Sequence, residues 1–196
     1  MEQLRFFDFA DFEVDAGKPG VRDYWSTPLE VVAEIESIYK IKFFIDACAN
    51  ASNSKCTHFI SEEMNSLNTD WIEYAASLGV PPVFFCNPPY SNPLLGLFVA
   101  KAWREAARGA TVVLLIPNSS DTKWYHRFVG PMRIDPKLCQ QVRDWIGRIK
   151  FIPPPGIEIE ENRPRAASLL VQFKPGVIRS EKGKANKAPL NPFHAR

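Results

Sequence analysis

The chain has 196 residues, 45% of them hydrophobic, and 24 Lys and Arg against 22 Asp and Glu give a formal net charge of +2. That length and apolar content suit one well-packed domain and leave no room for two. No apolar run is long enough to span a bilayer, and Met1 to Arg5 do not begin a signal peptide. Cys48, Cys56, Cys86 and Cys139 form no Cys-x-x-Cys pair, which argues against a disulfide framework or zinc site and for reduced thiols in a soluble, cytoplasmic protein.

The charge is unevenly divided. Residues 1–117 hold 9 Lys and Arg against 15 Asp and Glu, whereas residues 118–196 hold 15 against 7. A basic second half fits a polyanionic partner, but a solvated tail gives the same count, because Glu181 is the sole acid from Lys174 onward.

Residues 1–22 have no sustained periodicity and read as a flexible N-terminal arm. Thr27, Pro28 and Glu30 form a capping box that predicts a helix running to about Lys40. A buried strand is expected at Lys42–Ile45, closing in Asp46-Ala47-Cys48-Ala49, and a second at Thr57–Ile60, ending before Glu62 and Glu63. The apolar run Pro81–Cys86 predicts a third strand, and it ends in Asn87-Pro88-Pro89-Tyr90-Ser91. Asn92-Pro93 then opens a helix with the stripe Leu94, Leu97, Phe98, Ala102 and Ala106, capped by Gly109. Thr111–Ile116 is a near-continuous apolar run of the kind found centrally in parallel sheets, closed by Pro117-Asn118. A short helix is predicted over Asp121–Val129, and late strands over Trp145–Phe151 and Ser168–Phe173, with a Pro-rich loop between them. Residues 174–196 read as a basic, disordered tail.

Strands alternating with helices imply an α/β fold with an open, mostly parallel sheet and a C-terminal antiparallel hairpin. Ligands in such sheets bind beyond the carboxyl ends of the strands, where the turns after Ile45, Cys86 and Ile116 converge. Two features are unusual. The turn Asp46–Asn50 contains no glycine, and seven residues separate Ala49 from Thr57, too few for a full crossover helix.

The Asn-Pro-Pro-Tyr turn carries the most chemistry. An amine conjugated to a ring or carbonyl is a poor nucleophile until acceptors draw its hydrogens out of plane, and an Asn oxygen with a neighbouring Pro carbonyl makes such a pair. Consecutive prolines fix φ, contribute no N–H, and leave their carbonyls available to a pocket. Tyr90 adds a flat face for a base. The plainer reading is a turn that merely ends a strand.

The ordered series Trp25-Ser26-Thr27-Pro28, Asp46-Ala47-Cys48-Ala49, Leu67-Asn68-Thr69-Asp70-Trp71, Asn87-Pro88-Pro89-Tyr90, Asp121-Thr122-Lys123-Trp124 and Gly147–Phe151 resembles the phage-type DNA N6-adenine methyltransferases. The resemblance implies a Rossmann-like class I methyltransferase domain over residues 23–173. It further implies S-adenosylmethionine as cofactor, double-stranded DNA as substrate, no metal, and the host-cell cytoplasm if the protein is phage-encoded. Asn87, Pro88, Pro89 and Tyr90 would be catalytic, the base being flipped into their pocket. Trp25, Thr27 and Pro28 would close over the methionine part of the cofactor, Asp46, Ala47 and Cys48 would approach its backbone, and Asn87 would border it. Glu62 would take the ribose hydroxyls, with Glu63 its competitor; Asp70 would receive the cofactor's adenine amine unless it caps a helix at Trp71. His58, His126 and His194 have no required part.

For DNA, Lys123, Trp124 and Arg127 follow the strand ending at Pro117, and Arg148, Lys150, Arg163 and Arg165 flank the Pro-rich loop. Trp124 and Phe128 read equally well as core residues of an amphipathic helix. Rival readings are an N4-cytosine methylase, a protein-glutamine N5-methyltransferase, and a nucleic-acid-binding relic without activity.

Overall fold

The structure, a computed structural model, describes residues 21–135, 137, 141–154, 156 and 166–175. Its strands are β1 (Ile45–Asp46), β2 (His58–Phe59), β3 (Val83–Cys86), β4 (Thr111–Pro117), β5 (Val142–Asp144) and β6 (Ser168–Phe173). They form one sheet in the order β2-β1-β3-β4-β6-β5. Strands β2, β1, β3 and β4 pair in parallel, and β6 runs antiparallel to both β4 and β5. The expected mixed α/β sheet with an antiparallel C-terminal portion is therefore present.

Alternation along the central strands separates two cores. Phe84, Cys86, Val112, Leu114 and Ile116 pack with Trp71, Phe98, Val99, Ala102, Phe128 and Met132 on one face. Phe85, Val113, Leu115 and Leu170 pack with Val31, Val32, Ile35 and Phe43 on the other. Helix α1 (Leu29–Tyr39) covers the second face, while α2 (Trp71–Ser77), α3 (Leu94–Arg108) and α4 (Gly130–Ile134) belong to the first. Helix α3 ends at Gly109 with φ 136°, a conformation that favours glycine.

Four expectations need correction. Helix α1 begins at Leu29 with Pro28 at its N-cap and no side-chain cap, because the Thr27 hydroxyl is turned inward to Asn87. The first strand is shorter and lies later than expected, at Ile45–Asp46 rather than Lys42–Ile45, although Phe44 N–H still bonds the Val83 carbonyl at 3.1 Å. No strand spans residues 145–151; the ladder strand is the earlier β5. Beyond it Gly147, at φ 85°, turns the chain. Ile149 and Phe151 then bury beside α1 while Arg148 and Lys150 stay exposed, which imitates a strand's alternation without its ladder. The predicted helix over 121–129 instead contains a π turn, Tyr125–Val129, leading directly into α4. The short connection from β1 to β2 is made by turns, without a helix.

A buried ionic cluster joins α2 to α3. Lys101 and Glu105, with side chains 7% and 1% exposed, pair at 2.7 Å, and Lys101 Nζ also donates to the Thr69 carbonyl at 2.7 Å. Arg108 bridges Glu105 to Asp70.

Candidate active site

In the order β2-β1-β3 the chain steps outward from β1 to β2 and then returns to the far side of β1. The carboxyl ends of β1 and β3 thus flank a topological switch point, where open α/β sheets bind ligands. The turns that follow them are Asp46–Ala49 and Asn87–Tyr90. Ala47 N–H bonds the Phe85 carbonyl at 2.8 Å, which holds the two turns side by side.

Asn87 leaves β3 with its amide oriented from across the crevice. Its Nδ2 donates to Thr27 Oγ1 at 3.0 Å, and its Oδ1 is buried without a hydrogen-bond partner among the described residues. An unsatisfied buried acceptor is costly unless a ligand completes it. Tyr90 is pinned at both ends: its backbone N–H meets Asp23 Oδ1 at 2.7 Å, and its hydroxyl donates to the Leu115 carbonyl at 3.3 Å. Its ring stands edge-on to Phe151, with centroids 6.4 Å apart. Burial raises the phenol pKa, so Tyr90 remains a neutral ring at physiological pH.

Asp46 is buried and braces its own turn, Oδ1 accepting from Cys48 N–H at 3.2 Å and Oδ2 from Lys55 N–H at 3.0 Å. Lys55 Nζ reaches Ser26 Oγ at 2.6 Å, so the turn is tied to the segment before α1. These bonds brace the glycine-free turn, whose Ala47 and Cys48 are small, from its own carboxylate. Cys48 Sγ lies 3.5 Å from Cys86 Sγ, and burial pushes the Cys48 thiol up, keeping it protonated.

Burial outweighs the two N–H bonds and the nearby Lys55 charge, moving the Asp46 carboxyl from 3.8 to about 6. The folded chain therefore holds, between those values, a proton that the unfolded chain has released. Stability falls as pH rises through that window and the penalty is fully present above it. Comparing wild type with Asp46→Asn by urea unfolding at pH 4 and pH 7 should show the stability difference shift in the variant's favour by up to about 3 kcal/mol at the higher pH. A difference independent of pH would contradict the buried, ionised Asp46.

Glu62, exposed two residues beyond Ile60, accepts from Tyr24 Oη at 3.3 Å, whereas exposed Glu63 has its pKa lowered by a hydrogen bond from Ser61. Asp70 caps α2, taking Glu73 N–H at 3.0 Å, and its other oxygen pairs with Arg108 at 2.6 Å. The capping alternative describes its geometry, and both oxygens are engaged within the protein. Trp25 is half-buried near the second core, its Nε1 buried without a partner.

Lys123, His126 and Arg127 are exposed after the carboxyl end of β4, whereas Trp124 is half-buried, packed so closely on Gly96 that a Cβ there would meet it at 3.0 Å. Strand β5 points the same way as β4, so Arg148 and Lys150 follow a strand end on the same sheet edge. Arg163 and Arg165 lie outside the described residues, as do most of the arm and tail. Asp23, Tyr24, Lys55 and Phe151 are contacts that sequence reasoning missed; each partner is distant in the chain.

The fold and its switch-point crevice define an α/β protein with a site shared between two strand ends and the segment before α1. Residues 16–188 match the family described as DNA N-6-adenine-methyltransferase (Dam), and the chain belongs to that family. It is also 37% identical over 105 residues to a DNA N-6-adenine-methyltransferase of Escherichia phage T1, covering 54% of this chain and 40% of the relative. Over 109 residues it is 37% identical to a protein of the same name from Haemophilus phage HP1, covering 55% of this chain and 57% of the relative. The chain thus spans about half the length of the curated relatives it matches.

Proposed function

We propose that the chain methylates the N6 amine of adenine in double-stranded DNA, using S-adenosylmethionine, as a Rossmann-like methyltransferase of the host-cell cytoplasm. The observation that carries this reading is the buried Asn87 Oδ1 at the switch point, which has no partner among the described residues and is held there by Thr27. The residues present fit the cofactor: small Ala47 and Cys48 allow close approach at the β1 turn, and exposed Glu62 offers a carboxylate to a diol. Trp25, Thr27 and Pro28 would border the same crevice, with Thr27 tied to it through Asn87. Asp70 is left to α2.

When bound, the cofactor supplies an electrophilic methyl group. The protein's task is then to orient the amine and exclude water. Asn87 Oδ1 and the Pro88 carbonyl would accept hydrogen bonds from the amine, drawing its lone pair out of conjugation as it becomes tetrahedral; the nitrogen would gain the methyl group that the cofactor's sulfur gives up, and the surplus N–H proton would pass to solvent. Tyr90, fixed by its two hydrogen bonds, is the stacking face for the flipped base. Lys123, Arg127, Arg148 and Lys150, with Arg163 and Arg165, contact the phosphates.

Thr27 governs this geometry through one hydrogen bond. Thr27→Val removes the acceptor that fixes the Asn87 amide and should lower kcat roughly tenfold, the equivalent of about one ordinary hydrogen bond. Thr27→Ser should restore most of it. Equal rates for Val and Ser would remove Thr27 from the orienting role.

The function is tested by incubating the chain with tritiated cofactor and either duplex DNA or a mixed protein substrate. Label is expected in DNA alone. Label in protein only would favour the glutamine reading, and cofactor binding without any transfer would favour the relic.

A further inference from the structure

In the Asn87–Ser91 turn, Pro88 and Pro89 have no backbone N–H, so the first donors after Asn87 are those of Tyr90 and Ser91. Both are directed at one oxygen of Asp23, at 2.7 and 3.1 Å. Asp23 lies 67 residues earlier, on the single 3-10 turn Val21–Tyr24. Bonds from N–H to a carboxylate are shorter and roughly twice as strong as neutral ones, and this pair meets donors that the prolines leave without neighbours.

The same segment grips the rest of the site within five residues. Tyr24 reaches Glu62, Ser26 exchanges two backbone bonds of 2.8 Å with Ile152, and Thr27 receives Asn87 Nδ2. The strap over residues 23–27 therefore spans the β2 end, the Asn87 turn and the segment leading from β5. It reaches the Tyr90 backbone through Asp23.

We propose that Asp23 is a positioning residue for methyl transfer: its carboxylate sets the Tyr90 backbone, and with it the plane of the ring that receives the base. This rests on the reading of Asn87–Tyr90 as the base pocket. Asp23 holds the turn through the Tyr90 and Ser91 N–H groups and is assigned no cofactor contact, so its loss falls on kcat more than on cofactor affinity.

The full chain carrying Asp23→Ala should show kcat lowered about 10- to 100-fold on unmethylated duplex DNA, the cost of a misplaced reacting group. Cofactor affinity by calorimetry should stay within about twofold, because no cofactor contact is assigned to this side chain. Asp23→Asn, which keeps an acceptor oxygen in place, should recover most of the rate. Asp23→Glu, one methylene longer, should not. Wild-type kcat in Asp23→Ala overturns the proposal, as does a variant that loses cofactor affinity with kcat unchanged. Should Asp23→Ala fail to fold, the Asn and Glu variants decide, and equal kcat for these two overturns it. Absence of transfer by the wild-type chain overturns the functional reading and this role together, whereas wild-type transfer with an unaffected Asp23→Ala overturns the positioning role alone.

Discussion

Asn87→Ala should lower methyl transfer by about 100- to 1000-fold, the loss that follows removal of one preorganised group aimed at developing charge. Cofactor affinity should change little. The Asn87 amide divides its labour: Nδ2 is committed to Thr27 Oγ1, and Oδ1 is buried with nothing to accept from within the described residues. Water is a poor substitute in such a position, because preorganised acceptors cost no reorganisation when the amine changes geometry. Asn87→Asp separates orientation from charge. It retains two oxygens but replaces the donor to Thr27, so it should keep more activity than Ala if acceptor placement dominates. Single-turnover rates with saturating cofactor make the comparison directly. Activity in Asn87→Ala within about tenfold of wild type would contradict the role given to Oδ1.

A second large effect lies away from the site. Glu105→Ala should cost about 3–5 kcal/mol of stability, because it leaves the Lys101 ammonium buried without its counter-ion. Lys101 would retain the Thr69 carbonyl, which is not a charge. Replacing both partners with apolar residues of similar volume, Lys101→Met with Glu105→Leu, should recover most of the loss, since the desolvation penalty disappears with the charges. Arg108 keeps Asp70 in either case. Urea unfolding of the single and double variants reads both outcomes; a single variant as stable as wild type would mean the pair is solvated in solution.

The order of elements was legible because the apolar runs at 83–86 and 112–116 are continuous and closed by Asn87 and by Pro117-Asn118, Ser168–Phe173 is mostly apolar, and the structure places strands there. Two short parallel strands were legible only roughly: His58–Phe59 is the centre of the expected Thr57–Ile60, whereas Ile45–Asp46 meets the expected Lys42–Ile45 only at its last residue, and both draw their definition from neighbours already in the sheet. The misplaced strand at 145–151 shows how far alternation can mislead. Ile149 and Phe151 alternate with exposed Arg148 and Lys150 because the segment lies over a core, and burial of every second residue does not require a ladder.

In the proposed site, the turn Asn87–Tyr90 offers a reading from sequence because the residues that carry it are adjacent. Its supports could not. Thr27 looked like a helix cap because Ser, Thr and Asp before an apolar run usually are, and here a partner 60 residues away competes for the hydroxyl. Asp70 went the other way: the local cap claimed it, and Arg108 completed its bonding. Asp23 carried no local pattern at all. Its meaning arises only when the fold brings a carboxylate to a loop whose prolines have left two N–H groups exposed to it.

The most direct test of the central claim is to identify the methylated nucleoside. Unmethylated duplex DNA is incubated with the full chain and isotopically labelled S-adenosylmethionine, digested to nucleosides and separated by mass spectrometry. Label is expected in N6-methyladenine and lost in Asn87→Ala. Label in N4-methylcytosine, or in no nucleoside while the cofactor still binds, would contradict the claim.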